Sequence, residues 1–401
     1  MPMWNRPEKS PVERAKAAHE RRTGAAPAHT ASAPGTWVLI GENVDHFGGV
    51  TVMGLSNLRA AACVSARDDE LITVHAEGPY TEPVDGSTTL AQLVAGEGGA
   101  SAGLTRRFAG LVQTMIARQV LPRDTAGLDI TVVSDIPLGA GLGSLYAADA
   151  AVALALTGEH EDRDEPPMRA RLADICSAAV NNYSSLAVLR ARHTVALRGV
   201  AEQISVVDYA DGSLTPAPYP GKLGVRIFSV AAALGQPHGE QKERIAVRRG
   251  FIDEAVSNFG VTSLREVPDS VDRVTEWVEA RRDAGDAGAP EPAVARRWVR
   301  FCETETLRSL AAAKALRSRR GNELFTLLNS PSEAHDIDTP DALVHLALER
   351  GAAAARPAAS GTSQAVIAFV PVRAADDFAS RFAQDFEVVE VTPGEPARAE
   401  D

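Results

Sequence analysis

Between Asp135 and Asp149 the chain reads Asp-Ile-Pro-Leu-Gly-Ala-Gly-Leu-Gly-Ser-Leu-Tyr-Ala-Ala-Asp, and it continues as the apolar run Ala150–Leu156. Gly139, Gly141 and Gly143 stand between an expected strand end and an expected helix start at Ser144. Glycine permits backbone conformations and close approaches that other residues do not. The first N–H groups of a helix lack intrahelical partners and lie at the positive end of its dipole. The spacing therefore suits an anion, a phosphate above all. A tight strand-to-helix connection that needs glycine only for backbone shape would show the same three residues. Leu145 and Tyr146 bring bulk to the helix start and suit phosphate poorly.

Several elements must position this turn. Gly127–Val133 alternates as a half-buried strand leading into it, and Leu104–Gln119 has helical periodicity, with Phe108, Leu111, Met115 and Ile116 towards one side. Upstream, Met1–Ser10 is polar and expected to be disordered, Val12–Arg22 fits a short charged helix, and Gly24–Ala33 reads as a linker. Trp37–Ile40 is a compact apolar strand, ended by the polar loop Gly41–Gly49. Strands follow at Arg59–Ala66 and Leu71–Ala76. Downstream come a helix at Met168–Asn182 and strands at Ile204–Asp208 and Leu223–Val230, separated by the Pro-rich Leu214–Pro220, where a lobe boundary is expected. The second half is mostly helical (Arg244–Asn258, Ser270–Ala284, Ala293–Ser318, Asn322–Leu328, Asp341–Ala353). It closes with a strand at Ala365–Val370, a helix at Ala374–Phe382 and a strand at Phe386–Val391. The expected division is an extension and linker over 1–32, a first domain over 33–215 and a second over 216–395.

Of 401 residues, 45% are hydrophobic, enough for a sizeable core in two lobes. A net charge of −12 argues against nucleic acid or an anionic membrane as the main partner. The apolar run near Ala147–Leu156 is too short to cross a bilayer and is interrupted by Asp149. Cys63, Cys176 and Cys302 lie far apart, without metal-ligand spacing, and an odd number cannot all pair; a reducing cytoplasm is the expected compartment.

Ala33-Pro-Gly-Thr-Trp-Val-Leu-Ile-Gly-Glu-Asn-Val-Asp-His-Phe-Gly-Gly49 resembles the galactokinase signature, and Asp135–Asp149 resembles the ATP-binding motif of the wider GHMP kinases. The resemblance follows element order from about Val12 to Val391. It implies an α+β, two-lobed GHMP kinase fold, with a mixed-sheet N-terminal lobe and a helix-rich α/β C-terminal lobe. It also implies transfer of the ATP γ-phosphate to the anomeric hydroxyl of galactose, with Mg2+, an Asp base and an Arg beside it. Such a transfer relies on alignment and charge neutralisation.

Residue by residue, the match is uneven. Glu42 and Asp45 coincide with the carboxylates that the family turns to sugar hydroxyls, while Asn43 replaces a His; as turn residues they have a purely structural reading as well. Thr36 stands at the catalytic Arg. A gapless count back from Asp208 places Ala191-Arg192-His193 at the family's Met-Asp-Gln, so Arg192 stands at the base. An arginine stays protonated and cannot serve as one. His193 has a suitable unperturbed pKa, but a core or solvated histidine fits the sequence equally. Pro137, Gly139, Gly141, Leu142, Gly143 and Ser144 match the nucleotide-binding motif, whose next serine is Leu145 here. Ser144 and Asp149, the latter where the family has Glu, are the candidates for assisting a metal; Asp149 also reads as a solvated helix position. A third loop, Ala358–Gln364, keeps only Gly361. The departures favour a galactokinase-like protein that binds a galactose-like sugar, a nucleotide or both, with phosphotransfer impaired or lost. The alternative is an active sugar 1-kinase using ATP and Mg2+.

Overall fold

Ser10 caps the first helix, α1 (Pro11–Thr23), in a reciprocal box with Glu13, and Gly24 ends it at φ 77°. The computed structural model describes residues 4, 7–96, 103–235, 241–331 and 337–400, so the disorder expected of Met1–Ser10 falls partly on residues outside the described ones. The chain then forms β1 (His29–Ile40), β2 (Val50–Ala66), β3 (Leu71–Glu77), β4 (Val84–Thr89), α2 (Leu90–Ala95), α3 (Gly103–Ala117), β5 (Leu128–Ser134) and α4 (Ser144–Leu156). Next come α5 (Pro166–Tyr183), α6 (Arg190–Arg198), β6 (Gln203–Asp208) and β7 (Ser213–Pro218). The second half holds β8 (Val225–Ala231), α7 (Lys242–Phe259), α8 (Ser270–Asp283), α9 (Pro292–Arg317), α10 (Gly321–Asn329) and α11 (Asp341–Glu349). It ends with β9 (Ala354–Pro357), β10 (Val366–Pro371), α12 (Ala375–Phe382), β11 (Glu387–Val391) and β12 (Arg398–Ala399).

The first sheet runs β12-β1-β2-β5-β3-β4, with β6 and β7 joined to the front of the long β2. Among the described residues only β3 and β5 pair in parallel, so the sheet is mixed. A second, antiparallel sheet, β11-β8-β10-β9, belongs to the C-terminal half. There α7, α8 and α9 form a satellite core that also takes in Val44 and Phe47 from the loop after β1. The largest apolar cluster spans both halves, from Trp37 and Leu39 to Ile227 and Phe369.

Two expectations are corrected. Gly24–Ala33 is not a linker: from His29 onward it is the first half of β1, paired with β2 and with β12. Its buried residues, Thr30, Ala31, Ser32 and Ala33, are small. Ala31 and Ala33 allow the alanine-rich α4 to lie close against the sheet, Thr30 and Ser32 lie on the opposite face with Cys63 and Ala61, and these polar or slight side chains give no apolar period in the sequence. Leu214–Pro220 is likewise no simple connector, because β7 pairs along its length with β6. It is an edge strand, where proline's missing donor is tolerated.

Candidate functional site

The glycine turn forms as a strand–turn–helix unit: β5, a loop with Gly139, Gly141 and Gly143 at φ 89°, 69° and 68°, then α4. No side chain caps the start of α4. Five consecutive carbonyls face other parts of the protein. Leu138 accepts from the Gly235 amide (2.8 Å), Gly139 from the Ser363 hydroxyl (2.9 Å), Ala140 from the Ser229 hydroxyl (2.6 Å), Gly141 from Arg192 (3.2 Å) and Leu142 from the Thr36 amide (2.9 Å). The glycines are required by packing as well as by φ. A Cβ on Gly141 would lie 2.2 Å from that of Ala358, and one on Gly143 would lie 2.8 Å from Thr36 Oγ1 and 2.9 Å from Arg192 Nη1. Only about 40 Å3 remains over the turn, room for a water or two.

Arg192, in α6 and almost fully buried, is the hub of this region. Nη1 donates to the Thr36 carbonyl (2.5 Å) and to Gly141; Nη2 donates to Glu42 Oε1 (3.2 Å) and to the Ala358 carbonyl (3.1 Å). One guanidinium thus ties β1, the glycine turn, the loop after β1 and the third loop together. The other oxygen of Glu42 accepts from the Ser360 amide at 2.7 Å. Burial raises the Glu42 carboxyl above its usual range, and Arg192 and the Ser360 amide only partly oppose the effect.

Asn43, at φ 60°, donates to the Ser360 carbonyl, while Asp45 receives Arg249 Nη2 at 3.1 Å. Burial would raise the Asp45 carboxyl, but Arg249 and His46 outweigh it and the pKa is lowered. These residues surround a cavity of about 20 Å3, enough for one water. Five buried polar atoms on its lining residues have no hydrogen-bond partner among the described residues: Asn43 Oδ1, Asp45 Oδ2, Arg192 Nε, Tyr209 Oη and Arg249 Nε. They mix donors and acceptors, a set that hydroxyl groups can satisfy.

Asp149 is not a solvated helix position. It is 2% exposed, and both oxygens meet Arg107, at 2.7 and 2.6 Å, with His193 Nε2 at 3.0 Å from Oδ2. Burial would raise its carboxyl, but the Arg107 fork and His193 hold it below the usual range. His193 is a core residue between Asp149 and the Ser177 hydroxyl, and burial lowers its pKa. Tyr146 points inward, donates to the Ala187 carbonyl at 2.6 Å and lies against the His193 ring.

Against the implied ATP and Mg2+, the turn's backbone suits an anion at an uncapped helix start, but the space above it is smaller than a phosphate chain. The donor set does not fit a divalent cation. Asp149 is committed to Arg107 and His193, Ser144 Oγ lies 3.4 Å from Ser134 Oγ, and no group of three metal-ligating side chains occurs among the described residues. Beside the turn, a mainly apolar cavity of about 520 Å3 opens between β3, α3 and α4, with Leu138, Ser144 and Leu145 on its wall. Arg107, Arg249 and Tyr209 were not singled out from the sequence. The one available signal was Asp149 itself, a lone carboxylate in an Ala/Val/Leu run, which has to find a buried cation.

Residues 17–66 match the family model described as the galactokinase galactose-binding signature. The chain is 27% identical over 361 residues to a galactokinase of Streptomyces coelicolor, covering 88% of this chain and 87% of that one. It is 29% identical over 360 residues to one of Mycobacterium tuberculosis, covering 86% and 90%. The structure resembles Lactococcus lactis galactokinase complexed with galactose, with a TM-score of 0.74 at 16% identity over 96% of this chain and 99% of that one. It also resembles L. major mevalonate kinase in complex with R-mevalonate, with a TM-score of 0.53 at 12% identity over 92% and 99%. The mixed first sheet, the glycine turn and the helix-rich second half are those of the GHMP kinase fold. Within that class, the chain is galactokinase-like.

Proposed function

We propose that this galactokinase-like protein binds a galactose-like sugar, a nucleotide or both, and no longer transfers phosphate at an appreciable rate. The observation that carries the reading is Arg192. It occupies the cleft between the sugar loop and the glycine turn, and four of its hydrogen bonds join the surrounding walls. A permanently protonated group there cannot take the sugar's proton. His193, the neighbouring alternative, is enclosed between Asp149 and Ser177. Sugar binding is supported by the unpartnered polar atoms around Asp45, and a nucleoside-sized ligand by the cavity beside the glycine turn. The sugar, and a nucleotide's phosphates over the turn, require the cleft to widen beyond its small central cavities.

The test is Mg2+-dependent ATP consumption with galactose and related hexoses, combined with thermal-shift measurements. Turnover is expected to stay far below the on the order of 1–100 per second of sugar and protein kinases. Galactose is expected to raise the melting temperature, and Asp45→Ala to remove the shift. Turnover in the ordinary range would establish the second reading, an active sugar 1-kinase, which similarity to galactokinases over more than four-fifths of the chain favours.

A further inference from the structure

The protein carries a net charge of −12, yet one cavity of about 580 Å3, walled by α5, α6, α7 and the end of α3, gathers four cations. Arg118, Arg190, Lys242 and Arg249 line it, opposed by Asp174 and Asp253. Their pairing is unequal. Arg249 is taken by Asp45, and Asp253 by His46 at 2.6 Å. The Arg190 guanidinium lies over the Tyr209 ring at 5.3 Å, and Lys242 Nζ donates to the Ser184 carbonyl. Among the described residues, Arg118, Arg190 and Lys242 have no carboxylate within ion-pair distance, and the only remaining acid on the wall is the exposed Asp174.

Like charges brought together in a cleft repel one another and focus a positive potential into it. In a chain this acidic, carboxylates to neutralise them are plentiful, so three cations on one wall with no carboxylate at ion-pair distance are a recognition feature. Asn181 and Asp174 add an amide and a carboxylate that can bond hydroxyl groups, and the volume falls within the range of small-molecule sites. The cavity also shares Arg190 and Arg249 with the small polar cavity at Asp45. We propose that it binds a small hydroxylated anion, of the sugar-acid or sugar-phosphate kind. This assignment holds whether or not the protein transfers phosphate.

Isothermal titration with galacturonate, glucose 6-phosphate, inorganic phosphate and neutral galactose tests it, without ATP, at low and at physiological ionic strength. At least one of the two sugar anions is expected to bind about tenfold tighter than galactose and than inorganic phosphate, and to weaken as salt rises. The better of the two identifies the anionic group. The exposed Arg118→Gln and the half-buried Lys242→Gln are each expected to weaken that binding about tenfold, the worth of one charge-assisted hydrogen bond. Far-UV circular dichroism identifies a variant that fails to fold, in which case the other decides. Equal binding of galactose, equal binding of bare phosphate, no anion binding at millimolar concentration, or indifference to both substitutions would each overturn the proposal.

Discussion

Two buried arginine–carboxylate pairs lie on either hand of the Tyr146 ring and are built differently. Arg107 gives its fork to one partner, meeting both oxygens of Asp149, with His193 as a further donor. Arg192 gives Glu42 a single 3.2 Å bond and three further bonds to main-chain carbonyls, while its Nε has no hydrogen-bond partner among the described residues. The electrostatic outcome follows the geometry: Asp149 is held below the usual carboxylate range, whereas burial keeps Glu42 above it. The first pair fixes a charge in the core, and the second fastens pieces of chain together. A bidentate arginine stabilises an anion; a distributed one stabilises an arrangement of loops.

The largest expected effect separates the two. Arg107→Ala strands the Asp149 charge in the core and should lower unfolding free energy by about 3–5 kcal/mol in urea titrations. Arg192→Ala should cost less, because the raised Glu42 carboxyl is the more readily neutralised by protonation. The reverse order would break the comparison. Next, Gly141→Ala combines left-handed strain with a 2.2 Å approach to Ala358 and should cost roughly 3 kcal/mol. Gly212→Ala has similar φ but nothing within 4 Å, and should cost about 1 kcal/mol. Equal losses would mean that the third loop is not held against the turn.

The smallest effect concerns pH. Asp149, with its folded pKa lowered, contributes stability that is present above its ordinary value of 3.8 and lost as pH falls through the folded one. Glu42, with its folded pKa raised, contributes stability that is present below its ordinary value of 4.5 and lost as pH rises through the folded one. Glu42→Gln should therefore compare more favourably with the parent protein at pH 8 than at pH 5 in urea midpoints. Asp149→Asn should show no such gain. A Glu42→Gln variant that loses ground as pH rises would assign Glu42 a firm ionic role.

The glycine turn, α3, α5 and most second-half helices were legible because local periodicity and punctuation encode them. Other features were not, and three of them show why. The first half of β1 is buried through small residues, which carry no apolar period. β7 is rich in proline, which reads as a connector unless its edge position is known. The short α6, which supplies Arg192 and His193, buries charged and polar residues and so shows no apolar stripe. At the site, the signature loop and the turn could be read off, but the partners of their charges could not. Arg107 lies 42 positions from Asp149 and Arg249 lies 204 from Asp45, distances at which only the folded chain establishes neighbours.

The turn's five engaged carbonyls bear on how the molecule breathes. Their donors come from β1, from α6, from β8 and the segment after it, and from the third loop, so the turn is stitched to both halves at once. An opening of the cleft that pivoted there would have to break several of these bonds together. The amides of Thr36 and Gly235 should then exchange hydrogen for deuterium only on global unfolding, among the slowest in the protein. Admission of a ligand to the cavity beside the turn would leave these bonds in place.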